Sequence, residues 1–62
     1  MDEYLRKQVK YLKVFQNIRY KEIAEYLEMN IGSFYNWLRG NYNFSEDKIT
    51  ALNTIINNLK EE

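Results

Sequence analysis

Apolar residues along this chain return every three or four positions, the period of one buried helix face, and no strand-like alternation stands out. Leu5, Val9, Leu12 and Phe15 or Gln16 step along a first segment, with Tyr4 and Tyr11 widening its apolar side. Asp2 is read as its N-cap with Glu3 in the favourable first turn, and Asn17, a residue that tolerates left-handed backbone, as its stop. A second segment, Tyr20 to Glu28, sets Ile23, Ala24 and Leu27 on one side and Glu22, Glu25 and Glu28 towards solvent. The small Ala24 allows a neighbouring helix to cross closely.

A third segment opens at Asn30, an N-cap, and closes at Gly40, where glycine suits the residue after a helix. Ile31, Phe34, Trp37 and Leu38 fall on one side of it; Gly32, Ser33, Tyr35, Asn36 and Arg39 fall on the other. The polar connection Asn41-Tyr42-Asn43-Phe44 leads to Ser45, a further N-cap with Glu46 and Asp47 behind it. Ile49, Leu52, Ile56 and Leu59, with Ile55 beside them, then form a stripe that runs out near the end of the chain. With little chain left to cover its last turn, Ile56 and Leu59 are read as core or as a homodimer contact. The pattern predicts an all-α fold of four helices, or five, forming one domain over residues 1–62.

Composition narrows the function. A chain of 62 residues buries only roughly 60% of its unfolded surface, but 45% apolar content with ten aromatics sustains a globular core. Cysteine and histidine are both absent, removing disulfides, thiolate metal sites, the commonest general base and the commonest metal ligand. Neither enzymatic activity nor a cofactor or metal is expected. There is no apolar run of membrane-spanning length and no signal-peptide core, so a cytoplasmic protein is expected. The formal net charge is zero, yet residues 1–21 hold six Lys/Arg against two Asp/Glu, and residues 22–62 hold three against seven. Arg6, Lys10 and Lys13 share one side of the first segment, as a solvated face, a phosphate-contacting face or a membrane-surface face.

The stretch Tyr20–Arg39, YKEIAEYLEMNIGSFYNWLR, resembles the helix-turn-helix of the lambda-repressor-like family, the phage-repressor and xenobiotic-response-element type. Ile23, Ala24, Leu27, Met29, Phe34 and Trp37 carry the spacing. Val9, Leu12 and Ile18 before it, and Arg39-Gly40, Ser45, Ile49 and Leu52 after it, extend the likeness to about Val9–Ile56. Glu28 stands at the corner where the family often has glycine. Leu38 and Lys13 stand where a glutamate and an arginine often pair, and Phe44 replaces a common proline.

The resemblance implies a third helix that enters the major groove, about 12 Å wide, and reads bases with its N-terminal half. Asn36 is the expected direct reader, bidentate to adenine N6 and N7. Ile31 would meet a thymine methyl, Gly32 would permit close approach, and Ser33 would bond a phosphate or base. Asn30 belongs to the same interface. Tyr35 and Arg39 suit phosphates, with guanine a second option for Arg39. Tyr20 and the loop residues Asn41 and Asn43 are expected on the sugar-phosphate backbone. The expected function is a sequence-specific transcriptional regulator, a small phage or mobile-element repressor, bound to double-stranded operator DNA as a homodimer. Two alternatives stand beside it: a protein-interaction module, such as a phage-encoded inhibitor or adaptor, and a DNA-binding part of a recombinase or packaging machine.

Overall fold

The computed structural model describes residues 2–60. Four α-helices follow in order: α1 Asp2–Gln16, α2 Tyr20–Tyr26, α3 Ile31–Leu38 and α4 Glu46–Lys60. The molecule is a small all-α domain in which α1 packs along α4 and α2 packs against α3.

The helix ends follow from local chemistry. Asn17 takes φ 58° and stops α1. At the end of α2, Glu28 takes φ 58°, and the Glu28 and Met29 N–H groups return to the Glu25 and Ala24 carbonyls at 3.0 Å each. The end of α3 repeats this arrangement: Gly40 takes φ 92°, and the Gly40 and Asn41 N–H groups donate to Trp37 and Asn36. Both ends are therefore Schellman caps, one built on glycine and one on glutamate. Left-handed backbone strains any residue with a Cβ. Glu28→Gly should therefore stabilise the fold by roughly 0.5–1 kcal/mol after the added freedom of the unfolded chain is subtracted. Thermal unfolding followed by circular dichroism should show a melting temperature about 4 °C higher.

Leu5, Val9 and Leu12 of α1, Ile23 and Ala24 of α2 with Leu27 at its end, Phe34 and Trp37 of α3, Phe44 of the following loop, and Leu52 and Ile56 of α4 form one buried core. Trp37 is its hub. Its ring stacks on Phe44 at 4.1 Å with planes 4° apart and meets Phe34 at 5.6 Å. Its indole N–H donates to the Asp2 carboxylate at 2.8 Å, and the same oxygen accepts the Phe44 backbone N–H at 2.9 Å. Asp2, expected as an N-cap, lies within α1 and spends its carboxylate across the fold instead.

Three expectations about the core are corrected. Phe15 is 72% exposed, and Tyr4 and Tyr11 are about half exposed. At 100° per residue, positions 4, 11 and 15 sit about 100° round the helix from the Leu5–Val9–Leu12 seam, so they miss the core. Tyr11 and Phe15 pack on each other instead, rings 4.7 Å apart. Ile56 is only 2% exposed and is unavailable to a partner, because the fold itself covers it. Leu59 remains half-buried.

Arg6 clasps α1 to the end of α3. Its Nε donates to the Trp37 carbonyl at 2.6 Å and one Nη to the Tyr42 carbonyl at 2.8 Å, with the guanidinium 5.1 Å from the Trp37 ring centre. On the far side, Lys48 Nζ of α4 donates to the Leu27 carbonyl at 2.7 Å, tying α4 to the α2–α3 corner. Leu38 is partly buried and packs against the core.

Burial alone would raise the Asp2 carboxyl, but the Phe44 N–H, the Trp37 indole N–H and the Arg6 guanidinium outweigh it and hold it below 3.8. A depressed folded value means that the stabilisation is present above the unfolded value and is lost as pH falls through the folded one. Acid titration should thus show stability declining below about pH 4, with Asp2→Asn lacking that part of the decline. Asp2→Ala, which strands the buried indole N–H, should cost about 1–3 kcal/mol in urea unfolding.

Candidate nucleic-acid interface

The caps at both ends and the Arg6 clasp hold α3 as a short rigid rod with one side in the core. Phe34 and Trp37 face inward; Gly32, Tyr35, Asn36 and Arg39 are exposed and Ser33 is half-buried. Of the ten residues expected at the interface, nine lie on α3 or beside its ends in sequence and Tyr20 opens α2, and their side chains fall into three groups.

At the start of α3, Asn30 Oδ1 accepts the Ser33 backbone N–H at 2.8 Å. That oxygen is committed to the cap, and the amide's NH2 is the group left outside this bond on an exposed side chain. Ile31 is 37% exposed beside it. A Cβ built on Gly32 would meet nothing closer than Asn30 Oδ1 at 3.4 Å, so the glycine leaves open space outside the helix.

In the middle, the Tyr20 ring lies 5.8 Å from Phe34 and edge-on to Tyr35 at 5.9 Å. Lys13 Nζ stands 4.7 Å above the same Tyr20 ring. Burial, and then Tyr35 beside it, push the Tyr20 hydroxyl above 10.0, so at neutral pH it is a phenol able to donate to a phosphate oxygen. Lys13, Tyr20 and Tyr35 thus make one cationic, aromatic flank to α3. The sequence carried no local signal for this, since Lys13 and Tyr20 lie on different helices.

At the end of α3, Asn36 Oδ1 accepts from Arg39 Nη1 at 3.1 Å and from Asn41 Nδ2 at 3.2 Å. Tyr42 returns along the helix and its hydroxyl donates to the Ser33 carbonyl at 2.9 Å. Tyr42 lies within the Asn41–Asn43 loop expected on the sugar-phosphate backbone, and this bond lays the loop against the start of α3. Asn43, expected on the phosphate backbone, is exposed, and its Oδ1 lies 3.4 Å from an Arg6 Nη.

Among the described residues, no group of three or more His, Cys, Asp or Glu is placed to hold a metal ion. No helix among them is long and apolar enough to cross a membrane. No protein-family model, curated protein or solved structure matches the chain.

Proposed function

We propose that this chain is a sequence-specific DNA-binding regulator of the lambda-repressor-like type, a compact repressor acting in the cytoplasm on double-stranded operator DNA. The observation that carries the reading is the outward side of α3. A rigid, doubly capped helix presents an open glycine, an amide, a guanidinium and two tyrosines on one side, with Lys13 brought in from α1. A helix of that kind fits the major groove, its side-chain donors reaching base edges and its flanks touching phosphates. Bound across a promoter, it would block transcription.

Amide shift mapping with a random-sequence duplex at low salt tests the location of binding. Shifts should concentrate on Tyr20 and residues 31–42. A duplex that leaves those amides unmoved removes the reading.

A protomer this small contacts few phosphates, so two-fold pairing on half-sites about 34–36 Å apart is part of the proposal. The surface for the second copy is a shallow apolar groove lined by Ile18, Ile23, Tyr26, Ile55 and Leu59. Sedimentation should give a dimer for the native chain and a monomer for Leu59→Glu. Equal monomer masses would remove the pairing.

One feature favours a second reading, a protein-interaction module. Tyr4, Tyr11, Val14 and Phe15 stand exposed on the outward side of α1, Val14 at 73%, with the exposed Lys7 and Lys10 beside them. Large apolar side chains clustered on a surface suit protein contact. Under that reading the α1 amides, not those of α3, would respond to the partner.

A further inference from the structure

The sequence alone gives Asn36 to adenine, because an asparagine amide can accept from N6 and donate to N7 together. The structure changes which half of that amide is available. A carbonyl oxygen has two lone pairs, and Asn36 Oδ1 already faces two donors, Arg39 Nη1 and Asn41 Nδ2. The orientation of the amide is not arbitrary. A guanidinium has five N–H groups and no acceptor, so a flipped Asn36 would set its own NH2 against the Arg39 donor. Only the oxygen can face Arg39, and Nδ2 is left as the outward group. Asn41 fills the remaining lone pair and follows directly from the cap at Gly40, which turns the chain back so that residue 41 reaches residue 36.

We propose that Asn36 reads its base as a donor only, through Nδ2, and that this selects guanine rather than adenine. Asn41 is the positioning residue that holds the amide that way. Guanine presents two acceptors in the major groove, N7 and O6, both of which an outward NH2 and the free N–H groups of Arg39 can satisfy. Adenine presents N7 beside the N6 amino group, which would face Nδ2 donor against donor. Bonding adenine in the usual bidentate way requires Oδ1 to release Arg39 or Asn41. The inference rests on the DNA-binding reading and narrows it to the chemistry of one base contact.

The test is selection of bound duplexes from a random pool with the native chain, Asn36→Ala and Asn41→Ala. Asn36 and Asn41 are both exposed, so the variants should keep the native helical spectrum. The native chain should enrich guanine over adenine by about tenfold at one position, and Asn36→Ala should lose that preference. Asn41→Ala, with one lone pair released, should admit adenine at the same position and bring the preference to about threefold or less. A merely structural role for Asn41 would weaken binding evenly and leave the base preference alone. The proposal is overturned if adenine or a pyrimidine occupies the Asn36-dependent position, if the motif survives Asn36→Ala, or if Asn41→Ala leaves the guanine preference intact. Those results leave DNA binding standing. A pool with no enriched motif at all overturns the DNA-binding reading itself, and this inference with it.

Discussion

Trp37→Ala should remove most of the stability of the fold. A domain of 62 residues has about 3–9 kcal/mol of stability at typical values per residue. Removing a fully buried tryptophan costs about 3–5 kcal/mol from lost burial and the cavity alone. More is lost here than area. The Phe44 ring loses the partner it stacks on at 4.1 Å, and Asp2 loses one of its two donors. The Arg6 guanidinium loses the ring it sits 5.1 Å from. Three parts of the chain, α1, α3 and the loop before α4, meet at that side chain, so little can relax to fill the space. Thermal unfolding followed by circular dichroism should show the melting temperature falling by at least about 15 °C or no cooperative transition. Trp37→Phe, which keeps a ring but not the N–H, should fall between. A Trp37→Ala protein that melts within about 5 °C of the native one would sink the view of Trp37 as the hub.

Gly32→Glu should do the opposite: leave the fold intact and abolish DNA binding. The new side chain starts in open space, with only Asn30 Oδ1 at 3.4 Å, and a carboxylate in the first turn of a helix is favourable. In the groove it would meet phosphates and base acceptors as an unpaired negative charge. Juxtaposed like charges cost several kcal/mol, so affinity should fall by about a hundredfold or more, with the melting temperature within about 2 °C of the native value. Fluorescence anisotropy with a selected duplex measures the first quantity and a thermal melt the second. Unchanged affinity would mean that α3 does not face the DNA at its N-terminal turn.

The helix boundaries were largely legible because they depend on neighbours in sequence. Asn30 caps α3 through the Ser33 N–H, Asn17 stops α1 and Gly40 ends α3 as expected, whereas Glu28, read as the last residue of the second segment, lies beyond the end of α2 in left-handed backbone. The core was less so. Periodicity locates the centre of a buried seam but not its width, which is how Phe15, as an alternative to Gln16, was read on the core side and how Ile56 was left open between core and contact surface. The clasp of Arg6 on Trp37, the burial of Phe44 against Trp37 and the placement of Lys13 over Tyr20 join distant parts of the chain. Such contacts depend on how helices pack, which no local pattern records. The candidate interface shows the same division. Its residues could be named from the helical wheel, but their hydrogen-bonding state could not. Asn30 is spent on a cap, Asn36 has its oxygen occupied, and Asn43 lies near Arg6.

The cationic part of the interface bears most directly on function, because the chain as a whole is neutral. Lys13 and Arg39 stand at the α3 flanks, and Arg19 and Lys21 bracket Tyr20 in sequence. Affinity for a selected duplex, measured from 50 to 200 mM salt, is the measurement that tests the central claim. A straight log–log line is expected, with a slope of about −3 per protomer from three or so phosphates neutralised at about 0.9 each. Lys13→Ala should make the slope shallower by about one. A flat salt response, or no binding to any duplex at the lowest salt, would contradict it.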